Sequence, residues 1–213
     1  MMLMNNNLVT LSGTITEEPR YSHQVFGEGF YESELKVSRL SEQSDYIPIT
    51  VSDRLLQSAS FSPGSAVSVT GQFRSYNKLL DGRSKLMLTV FVREVIEEDA
   101  DINPNQIDLI GYICKEPIFR TTPFKREICD ILIAVNRAYN KSDYIPCIAW
   151  GRNARFASTL DVGTKIAVSG RIQSREYQKQ GEDGTITTRV AYEISISRLS
   201  LGDTDELCED EEY

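Results

Sequence analysis

Apolar and polar positions alternate along most of this chain, and the alternating runs arrive in two matching sets. In the second half, residues 107–113 place Ile107, Leu109, Gly111 and Ile113 on one side. Residues 128–135 form an apolar run, the turn Asn140-Lys141-Ser142-Asp143 follows, and residues 144–150 form a third run. Residues 165–177 continue with Gly170 inside. The tip Gly181-Glu182-Asp183-Gly184 then precedes residues 185–199, where Tyr192, Ile194 and Ile196 share a face. Period-two runs bounded by turn residues predict strands. Residues 151–160, closed by Gly163, are the one stretch here that predicts a short helix.

The first half follows the same plan. Residues 9–15, 30–37 and 46–51 predict strands and 53–61 a helix, with 66–76 and 85–96 returning around Asp81-Gly82. The match extends to identities. Asn7, Leu11, Gly13, Ile15, Glu18 and Pro19 recur 98 residues on as Asn105, Leu109, Gly111, Ile113, Glu116 and Pro117. The same step carries Val37 and Arg39 onto Val135 and Arg137. It also carries Ser44-Asp45-Tyr46-Ile47-Pro48 onto Ser142-Asp143-Tyr144-Ile145-Pro146, while Gly64 and Gly71 return one residue later as Gly163 and Gly170. A period near one hundred residues fits a whole domain, not a solenoid unit. Five strands with a short helix between the third and fourth is the order of an OB-fold, a small Greek-key barrel. The expected architecture is all-β, with two tandem barrels at 1–96 and 105–202. An acidic linker (97–104) joins them, short enough to hold them side by side, and an acidic tail (203–213) closes the chain.

Composition narrows the class. With 213 residues, 40% of them hydrophobic, the chain can bury two modest cores without metal or disulfide. No apolar run nears the roughly 20 residues of a membrane span, and no secretory signal is visible at the start. Cys114, Cys129, Cys147 and Cys208 lack close ligand spacing. Reduced thiols in a cytoplasmic protein, with no metal and no cofactor, are therefore expected. The net charge of −8 looks adverse for a nucleic-acid partner, but seven acidic residues of the last eleven account for most of it, leaving the body at −1. Such a tail reads as a solvated segment, a docking peptide for basic partners, or a competitor for the body's own groove.

The ordered set of residues 105–111, Pro117, 130–139, 144–154 and 163–177 with Gly170 resembles the bacterial single-stranded DNA-binding proteins. With the weaker first copy, the resemblance covers nearly the whole chain. It implies largely sequence-independent, non-catalytic binding in replication, recombination or repair, in a bacterial, nucleoid-associated setting. Flat rings stack under bases while cations follow the phosphates. The positions where the family carries aromatics hold Tyr139, Tyr144, Trp150 and Tyr177, three of them tyrosine where tryptophan is usual. Arg137, Lys141, Arg152, Arg155, Arg175, Lys179 and Arg189 lie near them in sequence. Each also has a plain structural reading: a lone strand tryptophan is as often core as platform, and scattered arginines are usually a solvated face.

Copy one departs from that pattern. Tyr46 persists, Tyr76 falls near the counterpart of Tyr177, and Arg39, Arg74 and Lys78 provide charge, but Ser41 and Ser52 replace Tyr139 and Trp150. The first barrel is thus expected to bind more weakly or to serve assembly. The resemblance implies a complex of four OB-folds, hence a homodimer, with replication or repair proteins recruited through the acidic tail. An enzyme is not expected: His23, the only histidine, falls in a loop-like stretch (20–29), and no nucleophile motif or phosphate-cradling glycine loop occurs. The alternative from another class is an OB-fold scaffold or primosome-like accessory subunit that binds protein.

Overall fold

The computed structural model describes residues 6–202 apart from 40, 42, 81, 97–103 and 181–183, so the linker (save Pro104) and the acidic tail lie outside the described residues. The first copy comprises β1 (Asn7–Ile15), β2 (Arg20–Val25), β3 (Glu28–Ser38), β4 (Ser44–Ser52), α1 (Asp53–Ser58), β5 (Ala66–Leu80) and β6 (Arg83–Ile96). The second repeats it with β7 (Asn105–Ile113), β8 (Ile118–Thr121), β9 (Glu127–Arg137), β10 (Lys141–Trp150), α2 (Arg152–Ala157), β11 (Lys165–Gln180) and β12 (Ile186–Leu201).

Five strands of each copy close a barrel. In copy one β1 pairs with β5 over Val9 to Thr14, then bends so that Thr14 and Ile15 pair with Lys36 and Leu35 of β3, while β4 and β6 run parallel at Ile49 and Val90. The bend brings Gly13 onto the Lys36 carbonyl and Gly111 onto the Ala134 carbonyl, leaving no room for a Cβ. That close approach is why both copies keep glycine there. The strand–helix–strand order agrees with the OB plan, with α1 and α2 between the third and fourth barrel strands. Alternation sorts the faces: Val9, Leu11 and Ile15, and likewise Ile107, Leu109 and Ile113, are buried at 2% exposure or less.

The stretch expected as loop is a strand. β2 and β8 pair outside the barrel with β3 and β9. Every residue of β2 and β8 is exposed, so neither shows the alternation that marks a half-buried strand. The two barrels share one twelve-stranded sheet through the antiparallel pair β1–β7, in which Val9 faces Ile107.

Two aspartates fasten the barrels on either side of that seam. Asp45 Oδ1 accepts the Ser174 N–H at 2.8 Å, and Tyr46 N–H donates back to Ser174 Oγ at 3.1 Å. Asp143 and Tyr144 do the same with Ser75, at 2.8 and 2.7 Å.

Candidate nucleic-acid interface

On β10, Ile145, Cys147 and Ala149 point into the barrel and Asp143 is buried across the seam, so Tyr144 and Trp150 point out. Register extends this outer face across the sheet. Ile148 pairs with Ser195 of β12, Ser195 with Arg171 of β11, and two and six residues along the same hairpin come Gln173–Glu193 and Tyr177–Arg189. Tyr144, Trp150, Tyr177, Arg175 and Arg189 therefore share one face. Trp150 is half-buried, its indole N–H donating to Ser195 Oγ at 3.1 Å, which fixes the ring while leaving part of it open. Tyr144 and Tyr177 are 46% and 36% exposed. Tyr139 stands apart on the β9–β10 turn, 87% exposed with φ at 62°.

The cations divide into two groups. Lys141, Arg152, Arg189 and Lys78 have no ion-pair partner among the described residues. The rest are engaged inside the protein. Arg39 grips buried Asp45 through two hydrogen bonds of 2.6 and 2.7 Å, and Arg171 of the other copy reaches the same carboxylate at 3.3 Å. Arg137 lies 3.6 Å from Asp143, Arg155 pairs with Glu127 at 2.6 Å, and Arg175 lies 3.7 Å from Glu193. The side chain of Lys179 lies outside the described residues.

Copy one presents a different surface. Tyr46 and Tyr76 are exposed on its outer face, but the Tyr76 hydroxyl donates to Glu32 at 3.3 Å and burial together with Glu32 raises its pKa. The seam contacts make Ser75 and Ser174 equivalent, so Tyr76 corresponds to Arg175 and Lys78 stands where copy two has Tyr177. Opposite Ser52, Phe30 packs between His23, stacked at 5.2 Å, and Phe91 at 5.4 Å, and the Arg74 guanidinium lies 3.8 Å over Phe91. Burial, with Arg137 and Arg93 nearby, pulls the pKa of Arg74 down to about 10. This ladder was not anticipated; its components come from four strands, β2, β3, β5 and β6, and only register brings them together. It fills the place that Ser52 vacates but covers its own rings, leaving Phe30 8% exposed. Glu32 and Glu34 share this face with no ion-pair partner among the described residues, whereas in copy two Asp130 is held by Arg120 at 2.6 Å and Leu132 stands opposite Pro146.

Comparison with known proteins agrees with the fold. A single-stranded DNA-binding protein of Clostridium tetani is 35% identical over 100 residues, 43% of this chain and 69% of that protein. Single-stranded DNA-binding protein 3 of Clostridium acetobutylicum is 30% identical over 115 residues, half of this chain and 80% of that one. Single-stranded DNA-binding protein A of Bacillus subtilis is 32% identical over 96 residues and is matched over only 56% of its length. The crystal structure of the wild-type single-stranded DNA-binding protein from Thermus aquaticus superposes with a TM-score of 0.72 at 21% identity, covering 92% of this chain and 93% of that one. The Single-strand binding protein family matches residues 104–201, the second barrel. With two barrels of the same plan in one polypeptide, the chain belongs to the bacterial single-stranded DNA-binding protein family.

Proposed function

We propose that the chain binds single-stranded DNA without catalysis and with little sequence preference, the second barrel carrying most of the affinity. The observation behind this is one outer face holding Tyr144, Trp150 and Tyr177 with Arg175 and Arg189, and with Tyr139 and Lys141 at the adjoining turn. Each stacked base contributes on the order of 1–3 kcal/mol, and a ring accepts any base. Arg152 and Lys78 extend the cation set at the two barrels, while Arg137, Arg155, Arg39 and Arg74 act chiefly through their internal partners.

The assembly we propose is a homodimer with four OB-folds, working in the bacterial cytoplasm on nucleoid DNA. The outward side of the β1–β7 seam fits such a contact, since Leu8 and Ile110 are 48% and 37% exposed on it. Closed two-fold pairing is also the commonest solution for a single chain type. Replication or repair proteins are the proposed partners of the acidic tail.

Fluorescence anisotropy with labelled poly-dT and a matched duplex, across a salt series, tests the reading. Tight binding to poly-dT that weakens steeply with salt and fails on duplex is expected. Equal binding of both at low salt would turn the search towards a protein-binding scaffold.

A further inference from the structure

The two barrels close each other's open strand edges. On one side β10 pairs with β9 along its length, but on the other it meets β12 at Cys147 and Ile148 alone among the described residues. The backbone of Tyr144 therefore lies on an open edge of its own barrel. Copy one takes its N–H, which donates to Ser75 Oγ at 2.7 Å, while the Ser75 N–H donates to Asp143 Oδ1 at 2.8 Å. Ser75 is 7% exposed and Asp143 2%, so these bonds are made away from bulk water.

The other side of β12 is held in the same way. β11 pairs with β7 from Lys165 to Gly170, and beyond Gly170 that edge has no strand partner among the described residues. There the Ser174 N–H donates to Asp45 of copy one, one residue before Arg175 and three before Tyr177. A third tie runs from Asn6 Nδ2 to the Asn136 carbonyl at 2.7 Å, close to the turn that carries Tyr139. The end of the face where Trp150 lies is held within copy two, by Ser195 and by the Gly151 N–H on the Glu127 carbonyl at 2.9 Å. Copy one thus fixes one end of the face, on both sides of β12.

We propose that Ser75 of copy one is a positioning residue for strand binding by copy two: its hydroxyl sets the backbone of Tyr144, and with it the place of that ring relative to Arg175 and Tyr177. This rests on the single-strand reading above, and it gives the first barrel a task other than contact with DNA. A buried donor robbed of its acceptor draws the strand edge towards another partner, and the ring carried on that edge moves with it. A binding group held about 1 Å too loosely no longer meets its ligand well. The mirror bond, from the Tyr46 N–H to Ser174 Oγ, sets a tyrosine on the face that carries Glu32 and Glu34, so it provides an internal control.

The test is a double-mutant cycle on the full chain, read by the anisotropy of labelled dT oligonucleotides. Ser75→Ala should weaken binding by roughly 3- to 10-fold, the lower part of the range for neighbours that couple. Tyr144→Ala alone should cost roughly 5- to 150-fold, the range for one stacked base. In the Ser75→Ala background that cost should shrink by the same factor of roughly 3 to 10. The cost of Tyr177→Ala in the Ser75→Ala background, and that of Tyr144→Ala in a Ser174→Ala background, should match those in wild type. If Ser75→Ala does not fold, Ser75→Cys takes its place in the cycle, because a thiol is only a weak acceptor. Equal costs of Tyr144→Ala with and without the Ser75 hydroxyl would make Ser75 a fastening alone and overturn the proposal, while the groove stands. A Tyr144→Ala that binds like wild type would overturn it too, as would a Tyr177→Ala cost that shrinks as much, the sign of a general loosening. If wild type does not bind dT at all, the single-strand reading itself fails and takes the proposal with it.

Discussion

Asp45 of the first barrel and Ser174 of the second hold each other across the seam, the carboxylate accepting the Ser174 amide at 2.8 Å while its hydroxyl accepts the amide next to Asp45. Asp143 and Ser75 mirror them on the other side. The repeated Ser-Asp-Tyr-Ile-Pro segment therefore does two jobs. Its aspartate turns inward to fasten the partner barrel, and its tyrosine turns outward onto the proposed binding face.

Asp45→Ala tests the fastening. Asp45 is fully buried and neutralises Arg39 and Arg171, so its removal strands two partly buried guanidiniums and a backbone donor. Breaking a buried pair costs about 3–5 kcal/mol. Because both arginines keep some contact with water, the lower end, about 3 kcal/mol, is expected in urea unfolding. A loss under about 1 kcal/mol would mean that β1–β7 pairing and the Asp143–Ser75 contact hold the seam without Asp45.

The seam was only half legible in sequence. The 98-residue step marked Asp45 and Asp143 as repeated, but nothing in one strand says that its side chain crosses to a strand of the other barrel, 129 residues away for Asp45 and 68 for Asp143. Barrel strands were readable because one face is buried and alternation follows; β2 and β8 were not, because water surrounds both their faces. Tyr144, Trp150 and Tyr177 fell on one face as period-two spacing and register demand. Arg39 and Arg74 look like groove cations in sequence, and only the fold shows the buried carboxylate beneath one and the Phe91 ring beneath the other.

Asp143 also sets a pH response. Burial raises its pKa, against the lowering effects of the Ser75 amide, Arg137 and Arg74. The folded state therefore binds this proton more readily than the unfolded chain. Stability from this group falls as pH rises from the ordinary carboxylate value, about 3.9, to the raised folded value, and the penalty persists above it. Asp143→Asn removes the titration, so its unfolding free energy relative to wild type should climb between pH 4 and pH 7. A relative decline over that window would show that the arginines, not burial, govern the group.

Gly170 is a packing test free of charge. It sits at a β-bulge where an added Cβ would overlap the Ser195 carbonyl oxygen, as one at Gly71 would overlap that of Phe91. The obstacle is backbone on the neighbouring strand and cannot swing aside. Gly170→Ala should destabilise by about 1–3 kcal/mol, the range for an overfilled site. Thermal unfolding reads it. Ser195 also holds the Trp150 indole, so the same substitution should shift tryptophan emission.

Affinity should divide unequally between the barrels. Tyr177→Ala removes a half-exposed ring that faces Arg189 and has the Arg175 guanidinium 6.0 Å from its centre, so a lost stack should weaken poly-dT binding by about 1–3 kcal/mol. Tyr76→Ala removes a ring hydrogen-bonded to Glu32 on a face that also carries Glu34, two carboxylates that would repel phosphates and have no ion-pair partner among the described residues. Its cost should stay under about 0.5 kcal/mol, within the ordinary range for surface changes. Glu32→Gln with Glu34→Gln should then tighten binding, most at low salt where exposed charges act furthest. Anisotropy titrations of these variants at two salt concentrations decide the matter. Equal losses for Tyr177→Ala and Tyr76→Ala would make the two barrels equal partners on the strand and end the case for a dominant second copy.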